Sequence, residues 1–326
     1  MNPFWLLCVT LSLAVLFIGT AVGSLLSSAA AWAISRRGDR VQFLQSPGLL
    51  FSIRVFPVVL GTALTLGFAL PSFLLLEPQR TVEAPESYLI AFALLGFTVV
   101  ALLTVRYVRL VSLSRETLRK WLLRAEPLAH SFSIPVYRIP SPEALIAVVG
   151  IFRPKIFVGR AAAASLTPDE LKAAIAHELA HVRSLDNLKQ LLLKITRLPG
   201  FFVYLSKMDH AWSAGAELLA DANALRSGTS AIELSSAIVK VGRLKTISVD
   251  ASAVATCHLI PSGASSSALA LRIQHLHGAL EIRSKPAAPQ ARLSSSIALL
   301  AVVISYLLLL PTALPLVHRW LEVLVR

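Results

Sequence analysis

Cysteine is nearly absent from the sequence: among 326 residues only Cys8 and Cys257 occur. Cys8 stands in a long apolar run, Cys257 stands in a distant loop, and the two form no C-x-x-C pair. This distribution argues against a disulfide framework and indicates a reducing compartment around Cys257. Internal repeats are lacking as well, so no repeat architecture is predicted.

Acidic residues are also scarce. The chain has 18 of them against 31 basic residues, for a net charge of +13. It is 55% hydrophobic with a mean hydropathy of +0.69, and the apolar excess is concentrated in long runs. The basic residues are scattered and form no recognition module, so direct nucleic-acid binding is not expected. Membrane topology and attraction to an anionic leaflet explain the charge instead.

Four apolar runs are long enough to span a bilayer, at about 4–34, 49–76, 88–111 and 296–317. No basic residue precedes the first run and Arg36 follows it, which indicates an anchor rather than a cleaved signal peptide. By the positive-inside rule the N-terminus lies outside, and the segment after the third run is cytoplasmic. Arg54, near the start of the second run, is expected to snorkel to the cytoplasmic interface.

The predicted division is therefore residues 1–111 with three membrane helices, a cytoplasmic domain at 112–291, and 292–326 with a fourth span and a short outer tail. The domain begins with an amphipathic helix at 114–126 and includes β-type runs at 133–138, 144–149 and 155–158, the last two forming a hairpin. Further helices are predicted at 211–226, 231–244 and 268–282, and a mobile loop at 246–267.

One stretch of the domain contains H-E-x-x-H, at His177, Glu178 and His181. On a helix, the two histidines project from one face and can bind one metal ion. A zinc ion lowers the pKa of a bound water to about 7, and a neighbouring carboxylate can then accept its proton. Thr167 and Glu170 form a capping box at the start of this helix.

Catalytic zinc normally takes three protein ligands. Glu217 and Asp221 lie four residues apart on a mostly apolar helical stretch downstream. Two carboxylates on such a helix require a cation or hydrogen-bond donors. Glu217 is therefore the candidate third ligand, and Asp221 is the candidate partner of a ring N–H of a ligand histidine.

These motifs resemble a known family. The run H-E-L-A-H-V-R-S-L-D-N, preceded by G-I-F-R-P-K-I-F-V-G and followed by A-E-L-L-A-D-A, is similar to the gluzincin membrane peptidases related to the β-lactam sensor–transducer receptors, which are antirepressor metallopeptidases. The resemblance implies one zinc ion on His177, His181 and Glu217, with Glu178 as general base and Asp221 behind the ligands. It further implies a structural role for Asp186 and Asn187, and an edge strand at 144–149, or its hairpin partner, to which an extended substrate adds.

The expected fold class is accordingly an α-helical membrane protein with four transmembrane helices and a cytoplasmic α+β gluzincin domain carrying a small β-hairpin or sheet. The expected partners are the lipid bilayer and a protein substrate, for which a transcriptional repressor is one candidate; a homo-oligomer is a further hypothesis. His258 and Arg272 are candidates for contacting the oxyanion or the substrate.

The sequence departs from the receptors at its end, because only a short tail follows the fourth run and no S-x-x-K occurs. Antibiotic sensing by this chain alone is therefore not expected. Three alternatives remain open at this point. They are a processing or quality-control peptidase like the HtpX and CAAX-prenyl enzymes, a non-enzymatic signalling scaffold, and a transporter or channel. The last is disfavoured because, apart from Arg54 near an interface, the spans lack intramembrane ionisable residues.

Overall fold

A computed structural model of the chain describes residues 3–36, 46–78, 85–128, 132–140, 146–197, 203–244, 256–258, 266–281 and 292–325. Within these residues, long helices dominate and one small mixed sheet is present. Three of the described helices are long and apolar enough to cross a membrane: Pro3–Ile34, Pro47–Leu76 and Ser87–Leu122.

The first of these helices, α1 (Pro3–Arg36), packs against the other two. The second consists of α2 (Pro47–Leu64), a π-helical turn (Thr65–Ala69) and α3 (Leu70–Leu76), and the third is α4 (Ser87–Leu122). A glycine is required where α1 meets α4, because a Cβ on Gly96 would collide with the backbone carbonyl of Leu13. The three helices therefore pack at close backbone distance.

The last helix, α11 (Arg292–Val325), covers the predicted fourth span and packs against the π-helical turn. Pro71 has no N–H to donate to the Gly67 carbonyl four residues earlier, and the Tyr306 hydroxyl donates to that carbonyl instead, at 2.7 Å. The two prolines of this run favour either a kink or an end of the span, and the helix does not end at them, because α11 continues through Pro311 and Pro315. That α11 crosses a membrane stays a prediction.

The two ends of the chain lie close together. Phe4 of α1, Phe73 of α3 and Leu321 of α11 share one buried apolar cluster. His318 lies 3.7 Å from the Glu77 carboxylate at the end of α3. The C-terminal segment is therefore packed on the helix bundle, on the side where the N-terminus lies.

The sheet has five strands in the order β1-β2-β4-β3-β5. The strands are β1 (Glu126–Pro127), β2 (Val136–Ile139), β3 (Ile146–Val149), β4 (Lys155–Gly159) and β5 (Thr256–His258). Strands β3 and β4 form the predicted antiparallel hairpin, whereas β2 pairs with β4 in parallel. The hairpin turn requires Gly150, whose φ is 106° and whose Cβ would lie 2.9 Å from the Arg153 carbonyl oxygen.

Helices cover both faces of this sheet. After β4 the chain forms α5 (Arg160–Ser165), α6 (Pro168–Arg183), α7 (Asp186–Ile195), α8 (Val203–Arg226), α9 (Ala231–Leu244) and α10 (Ser266–Glu281). One face of the sheet packs against α6 and α9, and the other packs against the end of α4. Side chains alternate between the two faces, with Val148 and Ile156 on the first and Val149 and Phe157 on the second.

The structure corrects several expectations. The expected edge strand is wrong, because β3 lies between β4 and β5, and β4 lies between β2 and β3. The predicted loop at 246–267 contains β5, which occupies that edge of the sheet. The separate helix at 114–126 is wrong, since α4 runs unbroken to Leu122.

Arg54 does not snorkel to an interface, because it is 4% exposed and contacts α7 and α8. The domain boundaries at 111/112 and 291/292 stay predictions, and residues 282–291 lie outside the described part of the chain.

Candidate metal centre

The capping box at the start of α6 is complete. Thr167 Oγ1 accepts a hydrogen bond from the Glu170 backbone N–H at 3.3 Å, and a Glu170 carboxylate oxygen accepts one from the Thr167 backbone N–H at 2.8 Å. Pro168 occupies the first helical position. The helix is thus defined from its first turn, and His177 and His181 project from one face of it.

Two histidine nitrogens and a carboxylate meet beside α6. Nε2 of His177 lies 3.1 Å from Nε2 of His181. The Glu217 carboxylate on α8 lies 3.5 Å from the first nitrogen and 3.7 Å from the second. All three side chains are buried, and their ligand atoms lie within 4.8 Å of one another.

Each imidazole is oriented by its own carboxylate. Nδ1 of His181 lies 2.8 Å from Asp186 Oδ2 with hydrogen-bond geometry. Nδ1 of His177 lies 2.8 Å from Asp221 Oδ1, a close ion-pair distance with poorer alignment of the N–H. A carboxylate at Nδ1 keeps the proton on that nitrogen, so the lone pairs on Nε2 point toward each other.

This arrangement fits a bound cation. Two Nε2 lone pairs 3.1 Å apart repel each other unless a metal ion or a shared proton lies between them. Two imidazole nitrogens bound to a tetrahedral ion such as Zn²⁺ at about 2.0–2.1 Å each are about 3.3–3.4 Å apart. The observed separation is close to that value, and Glu217 supplies a third ligand on the same side. The residues present therefore suit a divalent metal ion held by two histidines and one carboxylate.

A buried guanidinium supports the carboxylates. Arg272 on α10 is 4% exposed and donates from Nε and Nη2 to the two oxygens of Asp221, at 2.8 Å and 2.7 Å. Its Nη1 lies 3.0 Å from Glu217 Oε2. All three guanidinium nitrogens thus face the carboxylates behind and beside the metal ligands. This geometry favours a positioning role for Arg272 over the predicted contact with an oxyanion.

The charges at the site shift several pKa values. Burial lowers the pKa of His177, but the charge and contact of Asp221, with help from Glu217, outweigh it and raise the value to about 9. Burial raises the pKa of Glu217 and of Asp221, but Arg272 and the histidines outweigh it and hold both carboxyl groups below their ordinary range. Both carboxylates are therefore ionised at neutral pH, as a metal site requires.

The sequence profile described as BlaR1 peptidase M56 matches residues 87–275, which is more than half of the chain and includes the whole metal centre. The chain belongs to the M56 peptidase family. Members are membrane-associated metallopeptidases, which agrees with the apolar helices and with the His-His-Glu group. No curated protein matches the chain. The family match does not cover α1 to α3 or α11.

The remaining site residues predicted for this M56 peptidase have different placements. Glu178 is fully buried on α6, next to His177. His258 lies in β5, where its backbone pairs with Ala147, and its side chain lies outside the described residues. The catalytic and ligand roles of the predicted set stay predictions, although the structure brings His177, His181, Glu217, Asp221 and Arg272 together.

Asp186 was not predicted as part of the site. The turn after α6 passes through Leu185 in the left-handed region, with φ of 57°, and this returns Asp186 to His181. The adjacent Asn187 donates to the carbonyl oxygens of Val148 and Gly150, at 3.3 Å and 2.8 Å. The pair therefore has two roles, in which Asp186 orients a histidine and Asn187 fixes the start of α7 to the end of β3.

Proposed function

We propose that this M56 peptidase is an integral-membrane zinc endopeptidase that hydrolyses a cytoplasmic or membrane-proximal protein in regulatory proteolysis. The observation that carries the proposal is the meeting of His177, His181 and Glu217 beside the buried Glu178. Two histidines and a glutamate are the ligand set of a well-known class of zinc peptidases. Zinc in such a site acts as a Lewis acid that polarises a peptide carbonyl and makes water a nucleophile at neutral pH.

The residues of the chain have separate roles in this proposal. His177, His181 and Glu217 hold the ion, while Asp221 and Asp186 fix the orientation of the two imidazole rings. Glu178 accepts a proton from the attacking water and passes it to the leaving amine. Arg272 and Asp221 form a bidentate pair behind the ligands, which holds the Asp221 carboxylate beside His177.

The proposed topology places the N-terminus outside and the metal centre on the cytoplasmic side, with α11 as a fourth span. Basic residues after α1 and along the end of α4 support this orientation. The contact between His318 and Glu77 supports the fourth span, because it brings the C-terminal segment beside the end of α3, which this orientation places outside. A transcriptional repressor is a candidate substrate, and a homo-oligomer is a candidate assembly.

The test is Glu178→Gln in the full-length chain, expressed in the membranes of its own cells. Removing a general base lowers the rate by about 10²–10⁴-fold. We expect the variant to retain bound zinc and to leave its substrate uncut, as measured by comparing N-terminal peptides in the two proteomes. Glu233→Gln, which changes a half-buried glutamate on α9, serves as the matched control and should cleave like wild type.

The number of affected proteins separates two physiological roles. One or a few proteins that are cut by wild type and spared by Glu178→Gln support regulatory proteolysis. Broad accumulation of uncut membrane proteins instead supports a quality-control peptidase. Equal cleavage by wild type and Glu178→Gln contradicts the proposed mechanism.

A further inference from the structure

A buried arginine joins the second membrane helix to the peptidase domain. Arg54 of α2 is 4% exposed, and its Nε donates to Asp209 Oδ1 on α8 at 2.9 Å. Its Nη1 lies 3.3 Å from the Thr196 carbonyl oxygen and 3.4 Å from Thr196 Oγ1. Its Nη2 donates to the Leu193 carbonyl oxygen at 3.4 Å. One guanidinium thus contacts two helices of the domain.

The contacts with α7 are at its C-terminal end. Leu193 lies in the last turn of α7, and Thr196 is its C-cap. Carbonyl groups at this end of a helix lack intrahelical partners and carry the negative end of the helix dipole. Arg54 satisfies two of them while it pairs with Asp209, so its charge is compensated on both sides.

The same two helices hold the carboxylates of the metal centre. Helix α7 begins with Asp186, which orients His181. Its C-cap Thr196, which contacts Arg54, lies about 15 Å further along the helix axis. Helix α8 carries Glu217 and Asp221, and its Asp209 lies about 12 Å before Glu217. Arg54 therefore contacts the C-terminal end of α7 and the first third of α8, the two helices that carry Asp186, Glu217 and Asp221.

The contact lies in apolar surroundings. Ile53 and Val55, the chain neighbours of Arg54, pack against a buried apolar cluster from α1, α2, α7 and α8, which includes Trp212 and Ala216 of α8. Such packing keeps water away, and the planar fork of an arginine suits a site that must contact several acceptors in fixed directions. Arg197 also reaches Asp209, at 3.0 Å, but its side chain is 56% exposed.

We propose that Arg54 is a positioning residue for the metal centre, through which the second membrane helix sets the spacing of the two helices that carry Glu217 and the carboxylates behind the histidines. The inference rests on the proposed function, and it concerns a residue outside the part of the chain that matches the family. It makes metal affinity depend on how α2 packs against the domain.

The test measures Zn²⁺ affinity of the full-length chain in lipid nanodiscs by competition with a chromophoric chelator. Asp209→Asn is the main variant because it keeps the shape of the side chain and removes its charge. Changes behind metal ligands typically weaken binding by about 10–100-fold. Because Asp209 acts one step further away, we expect about tenfold weaker binding for Asp209→Asn and for Arg54→Met.

Two controls separate positioning from folding. Arg197→Met removes an exposed partner of the same carboxylate, and we expect it to bind Zn²⁺ like wild type. Saturating Zn²⁺ should restore cleavage by Asp209→Asn to near the wild-type rate, which excess metal does not do for a misfolded chain. Wild-type affinity in Asp209→Asn, or an equal loss in Arg197→Met, overturns the inference.

Failure of this inference and failure of the proposed function give different results. Weakened Zn²⁺ binding in Asp209→Asn, together with equal proteomes for wild type and Glu178→Gln, supports the positioning role and overturns the peptidase mechanism. Unchanged binding in Asp209→Asn, together with loss of cleavage in Glu178→Gln, supports the peptidase and overturns the positioning role.

Discussion

At the scale of single residues, the two carboxylates behind the histidines are held differently. Asp221 stands within the last two turns of α8 and makes a bidentate pair with the buried Arg272. Asp186 stands at the first position of α7, where Lys189 Nζ lies 3.5 Å from its other oxygen. Asp221 is therefore part of a buried charge pair, whereas Asp186 depends on a turn and a half-buried lysine.

We predict that Asp221→Asn and Asp186→Asn each weaken Zn²⁺ binding by about 10–100-fold, because each removes the acceptor that fixes an imidazole. Asp221→Asn should also destabilise the domain by about 3–5 kcal/mol, since it removes the charge of the bidentate partner of a buried guanidinium and leaves Glu217 as its ionised neighbour. Chelator competition and thermal unfolding of the purified chain measure the two effects. Asp169→Asn, on the exposed first turn of α6, is the control. Equal unfolding midpoints for Asp221→Asn and Asp186→Asn would contradict the larger stability loss expected for Asp221→Asn.

The roles of these residues differ in how far the sequence predicts them. The position of Asp221 follows from its spacing to Glu217, because residues four apart share a helical face. Asp186 reaches His181 only because Leu185 adopts a left-handed conformation that leucine rarely takes, and no glycine indicates the turn. Arg272 is recognisable as a site residue, but which acceptors its three nitrogens contact depends on how α10 packs against α8.

At the scale of secondary-structure elements, Glu170 joins α6 to α9. Beyond its capping bond, it accepts a hydrogen bond from Ser236 at 2.6 Å and one from Lys240 at 2.7 Å. Burial raises the pKa of this carboxyl group, but Lys240, Ser236 and Thr167 outweigh it and lower the value to about 2. The folded-state pKa lies below the ordinary value of 4.5, so the carboxylate stabilises the fold above about pH 4.5. This contribution is lost as the pH falls toward 2.

We predict that Glu170→Ala lowers the free energy of unfolding by about 1–2 kcal/mol at pH 7, because the capping box and its hydrogen bonds are lost. The deficit should shrink as the pH falls from about 4.5 toward 2, because the carboxylate of the unfolded wild-type chain takes up a proton in this range while the folded one is still ionised. Unfolding curves at pH 7 and at lower pH measure it. Asp169→Ala in the same turn is the control, with a cost of about 0.3–1 kcal/mol from the helix dipole alone. A deficit that does not change with pH would argue against this account.

The elements with strong local signals are those that the sequence predicts. The capping box indicates α6, and Gly150 with Pro154 indicates the hairpin of β3 and β4. The sequence does not predict the order of the strands. All four residues of β3 are buried, and an edge strand is not recognisable from such an apolar run. The parallel pairing of β2 with β4 and the closing of the sheet by β5 depend on contacts between distant segments, which local patterns do not contain.

At the scale of the whole molecule, the basic residues predict a fixed orientation in the membrane. In a Cys257→Ser background, we expect a membrane-impermeant maleimide to label Glu86→Cys in intact spheroplasts. Phe152→Cys should be labelled only after lysis, because the hairpin turn lies in the cytoplasm under the positive-inside rule. Glu86 and Phe152 are both exposed, Phe152 by 79%, so accessibility within the fold is comparable. Labelling of Phe152→Cys in intact spheroplasts would reverse the topology.

Helix α4 has a mechanical consequence for the metal centre. Its 36 residues form a single rod, about 54 Å long at 1.5 Å per residue. A hydrocarbon layer about 30 Å thick covers little more than half of that length. The rest of α4 extends beyond this layer, and near its end Trp121 makes an edge-on contact with Phe157, with 5.2 Å between the ring centroids. A tilt of α4 by about 5° at the membrane surface displaces this end of the helix by about 2 Å. Phe157 lies in β4, which pairs with β3, and Asn187 at the start of α7 is hydrogen-bonded to the end of β3. A small tilt of α4 is therefore transmitted through the sheet to the turn that positions Asp186.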